Sequence, residues 1–409
     1  LADLASRVVI VGAGHAGGSV AAFLRQYGHT GPIDLIGDEP LIPYQRPPLS
    51  KAWLKGEADA DSLSLKPAQW YRDNGCHLHL DTTVAGLDRA ARTVRLTDGR
   101  SLAYDVLILA TGARARTLAL PGADLAGVLA LRTAADAEAL KACLGPGKRL
   151  AVVGGGYVGL EAAASARALG SEAVIIEREA RVLARVACPT LSTFFTDYHQ
   201  DRGVTFELSA GVEGFEGQDG RVTGVRLADG RTLACDAALV GVGAIPNDEI
   251  AQAAGLDCKG GILVDAEART SDPAIFAIGD VTQRPLPLYD RTVRLESVPN
   301  ALEQAKQAAC AITGRPGPAP EVPWFWSDQY DLKLQIAGMP FDADTILVRG
   351  DPTLAKFAVF HLKGDQIQAV EAVNAAPEFM MGKSLIGSRK AISRERLANP
   401  SVSMKEVAA

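Results

Sequence analysis

The chain has 409 residues, 47% of them hydrophobic and 22% charged, with 42 Lys+Arg against 48 Asp+Glu and a net charge of −6. This excludes a mostly disordered chain, which would need low hydrophobicity and high net charge, and a general nucleic-acid binder, which would need a basic excess. The length predicts two to four domains at roughly 100–200 residues each, and the 41 glycines point to tight turns and close backbone approaches.

Residues 7–11 (RVVIV) form a short β-branched run, followed by Gly12-Ala13-Gly14-His15-Ala16-Gly17. Val20, Phe23, Leu24 and Tyr27 then recur at helical spacing, and a second strand, Ile33–Ile36, ends at Gly37-Asp38-Glu39. That is a βαβ unit of about 30 residues. Further on, His77 and His79 alternate along a predicted strand with no carboxylate or His partner nearby, and read as structural.

The pattern returns at Arg149–Val153, Gly154-Gly155-Gly156-Tyr157-Val158-Gly159, a helical stretch, and a strand over 173–176 that ends at Glu177. A second repeat supports the duplication. LTDGRSLAYDVLILATGA (96–113) and LADGRTLACDAALVGVGA (227–244) are identical at nine of eighteen positions, and each carries an Asp-Gly hairpin turn. The first copy holds about eleven extra residues, placed in 40–57 (including PYQRPPLSKAWL), where an α/β sheet would bind its ligand. Beyond the Pro- and aromatic-rich PAPEVPWFWSDQY, residues 346–349, 357–362 and Gln366–Val373 read as strands, with a turn at Lys363-Gly364-Asp365 and a helix over 381–392. The expected fold is α/β: two Rossmann-like dinucleotide-binding domains plus a small α+β C-terminal domain. The boundaries are 1–115 with 246–323, 116–245, and 324–409.

A lone GxGxxG is weak, but here a strand precedes it, a helix follows and an acidic residue closes the unit, twice over. Gly12 makes the tight turn, Gly14 lets backbone approach a pyrophosphate, and Gly17 lets the helix pack on the strand. The helix N-terminus then offers free N–H groups to phosphate. Asp38 or Glu39 would take the adenosine ribose hydroxyls. Gly154, Gly156, Gly159 and Glu177 repeat the arrangement. A carboxylate at Glu177 accepts from a ribose 2′-OH and repels a 2′-phosphate, which favours NADH, although Arg178 and Arg181 nearby weaken the preference. Two such sites suggest a flavin and a nicotinamide. Asp280, at the end of TSDPAIFAIGD, could take a ribityl hydroxyl; a plain Gly-Asp turn is the other reading.

The six cysteines (76, 143, 188, 235, 258, 310) have no CxxC or CxxxxC spacing, so a disulfide framework and a cysteine-based metal site are not expected, and no metal site is predicted. No targeting segment and no run of about 20 apolar residues is visible. A soluble, cytoplasmic protein is expected, with neither nucleic acid nor membrane as partner.

IGDEPLIPYQRPPLSKAWL, ILATGARAR, VVGGGYVGLEAA, TSDPAIFAIGD, RLESVPNALEQA and PWFWSDQY together resemble the FAD-dependent ferredoxin reductases of the glutathione-reductase superfamily, of the putidaredoxin reductase type. The resemblance runs from Val8 to about Val373. It implies FAD on the first unit, with Gly12, Gly14, Ala16, Gly17, Asp38, Glu39, Arg46, Lys51, Val84, Ala110, Thr111, Gly112, Arg132, Asp280, Glu296 and Val298 as contacts. It implies NADH on the second, with Gly154, Gly156, Tyr157, Val158, Gly159, Glu161, Glu177 and Gly243. Lys51 would sit near flavin N5 and Glu161 would contact the nicotinamide amide. Lys51 and Glu161 could together steady charge on reduced flavin, or be a structural ion pair. Trp326 would lie on the nicotinamide side of the flavin; Trp324 and Trp326 read equally well as packing residues.

One departure within the superfamily matters. The first cysteine is Cys76, so the redox cysteines that disulfide reductases, NADH oxidases and peroxidases carry early in the first domain are missing. Electrons would pass directly from flavin to an acceptor. The resemblance implies hydride transfer from NADH to FAD, then single electrons to an acidic [2Fe-2S] ferredoxin serving a cytochrome P450. A rubredoxin or a dioxygenase ferredoxin is the alternative acceptor. An NADH oxidase or quinone reductase, or a regulator like apoptosis-inducing factor, are further rivals. Two basic clusters could dock the ferredoxin: Lys383, Arg389, Lys390, Arg394, Arg396 and Lys405 near the C-terminus, and Arg284, Arg291 and Arg294. The protein could be a monomer or a weak dimer.

Overall fold

Val8–Val11 carries no polar side chain and is buried end to end, as a central strand of a parallel sheet must be. The structure is a computed structural model describing residues 3–408, and the chain folds into two units. The first comprises residues up to 45, 60–114 and 245–325; the second comprises 46–59, 115–244 and 326 onward.

In the first unit the five-stranded sheet runs in the order Ile275–Ala277, Val106–Leu109, Val8–Val11, Ile33–Ile36, Cys76–His79, all parallel. Helix His15–Gln26 covers one face together with helix Val298–Thr313. Ala16, Val20, Ala21 and Leu24 of the first helix share an apolar cluster with Ala301, Ala305, Ala308, Ala309 and Ile312 of the second. The many alanines let the two helices approach closely. Each fully buried Val, Leu or Ile of this cluster contributes about 1.5–3 kcal/mol. On the other face, Val9, Val11, Leu107 and Leu109 pack with Val94 and Leu96 of the antiparallel Val84–Asp88, Thr93–Leu96, Ser101–Ala103 sheet.

The parallel register corrects one expectation. His79 does have a carboxylate partner: its Nε2 lies 2.8 Å from Asp34 Oδ1, and His77 Nδ1 lies 3.6 Å from the same oxygen. The pairing Asp34↔His77 places the acid on the neighbouring strand, far away in sequence.

The second unit repeats the plan. Its parallel sheet runs Val204–Leu208, Glu172–Glu177, Arg149–Val153, Ala237–Val240, Val128–Leu129, with helix Tyr157–Ala168 following the central strand. The duplicated hairpins match bond for bond. Leu96 N–H donates to Arg100 O at 2.8 Å and Leu227 N–H to Arg231 O at 2.8 Å. The turn glycines have φ of +91° (Gly99) and +88° (Gly230), the left-handed region that favours glycine.

A five-stranded sheet follows, ordered Trp324–Gln329, Leu332–Gly338, Gln366–Val373, Lys356–Lys363, Thr345–Asp351. From Trp326 onward it belongs to the second unit. Helix Ala376–Ser388 packs on it, starting five residues earlier than the 381–392 expected from sequence. Pro377 suits the first helical turn, where its missing N–H costs nothing, and Arg389 ends the helix in a left-handed conformation (φ +52°). Among the described residues no helix is long and apolar enough to cross a membrane.

Candidate functional site

Gly12 leaves the Val8–Val11 strand at φ +114°, and a Cβ there would lie 2.1 Å from Ala110 O. A Cβ on Gly17 would lie 1.9 Å from Gly12 O. Both positions therefore admit only glycine, for the turn and for helix–strand packing respectively. Gly14 is the N-cap of His15–Gln26 and supplies no side-chain cap, so the first N–H groups of the helix are left for another acceptor. Ala16 is buried in the same turn.

Gly279 and Asp280 pass over this helix start: a Cβ on Gly279 (φ +83°) would sit 3.1 Å from Ala16 Cβ. Gln304 fixes the loop, accepting from Gly279 N–H at 2.8 Å and from the Thr282 hydroxyl at 2.9 Å through one oxygen. His15 Nδ1 is buried at this point with no hydrogen-bond partner. Burial lowers the His15 pKa and Asp280 opposes that shift. A side-chain-free turn, an uncapped helix and an orphaned imidazole nitrogen together fit a dinucleotide pyrophosphate.

The other first-unit residues fall around this turn or farther off. Asp38 is exposed, whereas Glu39 Oε2 accepts from the Tyr44 hydroxyl at 2.6 Å. Thr111 and Asn247 exchange hydrogen bonds at 2.7 and 2.9 Å, and Gly112 O accepts from Asn247 N–H at 3.0 Å. Ala110 is buried and Val84 half-buried. Val298 begins its helix behind Ser297, whose side chain accepts from Asn300 N–H. Glu296 is exposed and pairs with Arg294.

The second unit holds the matching cradle. A Cβ on Gly154 (φ +111°) would lie 2.4 Å from Gly241 O, and one on Gly159 2.3 Å from Gly154 O. Gly156 caps helix Tyr157–Ala168 without a side-chain bond, and a Cβ there would meet nothing within 4 Å. This open approach suits a second pyrophosphate. Glu177 Oε2 accepts from Gly155 N–H at 2.7 Å and Oε1 from Glu179 N–H at 2.8 Å, so the acid sits against the cradle. Arg181 is tied down by Ala184 O (2.9 Å), Ala187 O (2.9 Å) and Ser192 Oγ (2.6 Å), while Arg178 is exposed beside Glu179. Val158 is exposed and Gly243 has φ +104°.

Beside this cradle, Glu161 is 5% exposed and accepts three bonds. Oε2 accepts from Ser50 Oγ at 2.6 Å and Lys51 Nζ at 2.7 Å; Oε1 accepts from Ser327 Oγ at 2.6 Å. Ser165 Oγ, one helical turn after Glu161, donates to Ser50 O at 2.7 Å and holds the Pro47–Ser50 turn in place. The donors behind Ser327 all point the same way. Gln329 Nε2 donates to Ser327 Oγ at 3.1 Å, so its carbonyl accepts from His199 Nε2–H at 2.8 Å, and His199 Nδ1 accepts from Tyr330 Oη at 3.4 Å. Burial holds His199 neutral, with its pKa lowered to about 4.

The residues assigned to FAD thus divide between the units: Arg46, Lys51 and Arg132 belong to the second, where Arg46 Nη1 donates to Arg132 O at 2.6 Å. Trp326 is half-buried, one residue before Ser327. Sequence reasoning missed Ser50, Ser165, Ser327, Gln329 and His199. Ser50, Ser327 and Gln329 lie inside the family stretches PPLSK and PWFWSDQY; nothing in the sequence marks Ser165 or His199. One expectation is corrected outright. Arg284 is 4% exposed and paired with Glu303 at 2.7 Å, so it is part of a buried ion pair and not of an exposed basic cluster.

Two nucleotide cradles in one chain, with the Lys51 ammonium held on a buried Glu161, are the plan of a two-nucleotide flavoprotein reductase. Residues 6–305 match the pyridine nucleotide-disulphide oxidoreductase family and residues 324–408 the reductase C-terminal family. The chain belongs to the former family and, within it, to the FAD-dependent ferredoxin reductases; its cofactors are FAD and NADH. It is 57% identical to the probable ferredoxin reductase CtmF of Castellaniella defragrans, over 98% of both chains. It is 42% identical to putidaredoxin reductase CamA of Pseudomonas putida, over 98% of this chain and 96% of that one. The crystal structure of the covalent putidaredoxin reductase–putidaredoxin complex superposes with a TM-score of 0.96 at 42% identity, covering 98% of both chains.

Proposed function

We propose that the chain carries electrons from NADH to a [2Fe-2S] ferredoxin that supplies a cytochrome P450. When bound, FAD would supply the redox chemistry that links a two-electron hydride donor to a one-electron acceptor. Residues 1–115 and 246–323 are assigned to FAD, 116–245 to NADH, and 324–409 to the interface domain. The Gly12–Gly17 turn and the start of helix His15–Gln26 hold the FAD pyrophosphate, and Asp280 its ribityl chain. Gly154, Gly156 and Gly159 hold the NADH pyrophosphate. Glu177 takes the adenosine ribose, and with Arg181 engaged by its own loop the site favours NADH over NADPH.

The observation that carries the reading is Glu161 with three donors at 2.6–2.7 Å, one of them Lys51. An acid fixed by two hydroxyls and an ammonium can orient the nicotinamide amide, while Lys51 offers a fixed positive charge. Trp326 lines the nicotinamide side. All six cysteines are free, and burial raises the thiol pKa of Cys76, Cys235, Cys258 and Cys310, which leaves those thiols poor electron carriers. With no cysteine before Cys76, the reading has electrons leave by direct transfer to an outside acceptor.

The test is the rate at which NADH-reduced protein is reoxidised by a [2Fe-2S] ferredoxin, by rubredoxin, by quinone and by oxygen, at low and high salt. The proposal expects ferredoxin to be fastest and its rate to fall with salt. Rubredoxin as the faster partner would replace the acceptor. Reoxidation by oxygen or quinone alone would refute the carrier role.

A further inference from the structure

Away from both glycine cradles, three chemically distinct ligand groups converge inside the second unit. Cys188 precedes helix Pro189–Gln200 as its N-cap. His361 lies on strand Lys356–Lys363 and Glu371 on its antiparallel neighbour Gln366–Val373. The register pairs Val359 with Glu371, so His361, two residues beyond Val359, shares a face with the acid. Cys188 N–H donates to both Glu371 oxygens, at 3.2 and 3.3 Å. All three side chains are buried, and one ligand atom from each lies within 4.8 Å of the other two. No other such group occurs among the described residues.

Two features point to a ligand beyond the protein. His361 is 5% exposed, yet its Nε2 has no hydrogen-bond partner and stands 3.5 Å from Glu371 Oε2. A tetrahedral cation with N and O ligands at about 2.0–2.1 Å requires a ligand–ligand edge of about 3.3 Å, close to that separation. Charge on binding supplies the second argument: a divalent cation displaces the Cys188 thiol proton, and its two positive charges then match the resulting thiolate and the Glu371 carboxylate in a dry cluster. The sulfur and nitrogen donors exclude magnesium and calcium, which take oxygen ligands, and suit zinc.

We propose that Cys188, His361 and Glu371 form a closed binding site for a thiophilic divalent cation of the zinc class. The fourth position is filled by water or a nearby oxygen. On binding, the Cys188 thiol proton leaves to solvent, and Cys188 Sγ, His361 Nε2 and a Glu371 oxygen each donate a lone pair; no electron is transferred. The cation ties the helix after the NADH cradle to the C-terminal sheet. It also lies beside Tyr157, the first residue of the cradle helix, which is within electrostatic range of Cys188 and Glu371.

The test uses the FAD-loaded protein, stripped with a chelator and titrated with Co2+, a spectroscopic stand-in for zinc. The proposal expects one Co2+ per chain, intense tetrahedral ligand-field bands to the red of oxidised flavin, a thiolate charge-transfer band, and displacement by Zn2+. Cys188→Ala and His361→Gln, with fold checked by flavin content, should each weaken binding at least about 10–100-fold. Should Cys188→Ala not fold, Cys188→Ser and the charge-transfer band of the unaltered protein carry the test. No saturable binding, a spectrum without thiolate character, or affinity unchanged in both variants would overturn the site.

Discussion

Replacing Glu161 by Ala removes the carboxylate that joins Ser50, Lys51 and Ser327. It deprives two hydroxyls at 2.6 Å and an ammonium at 2.7 Å of their shared acceptor. Breaking a buried ion pair costs about 3–5 kcal/mol because a charge is left uncompensated. The Lys51 side chain keeps 19% of its surface exposed and also donates to Pro47 O at 3.1 Å, which offers the orphaned ammonium some relief. The expected loss is therefore at the low end, about 3 kcal/mol. Lys51→Met should cost less, because Glu161 would keep two hydroxyl donors. The double variant Lys51→Met/Glu161→Ala should recover about 1–2 kcal/mol relative to the sum of the single variants, since partners in one network do not add. Denaturant unfolding of all four proteins, at matched flavin content, completes the cycle. Flavin reduction by NADH should slow at least about tenfold in Glu161→Gln, equivalent to ~1.4 kcal/mol of barrier. Additivity within about 0.5 kcal/mol, together with an unchanged reduction rate, would refute both the coupling and the role given to the pair.

Gly17→Ala should yield protein with little bound FAD, because the new Cβ would overlap Gly12 O at 1.9 Å; flavin content after purification reads this directly. Glu177→Ala should raise the KM for NADH about tenfold or more and weaken discrimination against NADPH, since Gly155 N–H loses its acceptor and the ribose its carboxylate. His199 has a folded pKa lowered to about 4 by burial, so the unfolded chain binds more protons between about pH 6.5 and 4. Stability should fall as pH drops through that window, by about 2–3 kcal/mol, and unfolding midpoints of His199→Gln should fall less steeply. Arg284→Met leaves Glu303 buried without its partner. It should cost about 3 kcal/mol and leave the salt dependence of ferredoxin reduction unchanged; a flattened salt response would put Arg284 back on the docking face.

The sequence announced both cradles because glycine spacing is a local signal: Gly12, Gly17, Gly154 and Gly159 each occupy positions where a Cβ would strike backbone at 2.4 Å or less. The duplicated Asp-Gly hairpins were legible for the same reason. What was not legible depends on register between distant segments. The Asp34–His79 pair requires knowing which strands are neighbours. The chain from Tyr330 through His199 and Gln329 to Ser327 joins a helix to a sheet strand more than a hundred residues away. Arg284 misled because clustered arginines in sequence say nothing about which one turns inward to meet Glu303. The Cys188, His361 and Glu371 cluster lay beyond reach because ligand spacing is informative only when the ligands share one turn or loop. Helix Ala376–Ser388 starts ahead of its expected span because Pro377 favours the first helical turn.

The most direct test of the central claim is a count of electrons in a single anaerobic turnover. Protein holding FAD is mixed with one equivalent of NADH and excess [2Fe-2S] ferredoxin, and the reduced ferredoxin is quantified. A hydride carries two electrons, so direct transfer from flavin predicts two reduced ferredoxins per NADH, at the same yield after accessible thiols are blocked. Reduced flavin that persists beside oxidised ferredoxin, or a yield that collapses when thiols are blocked, would contradict it.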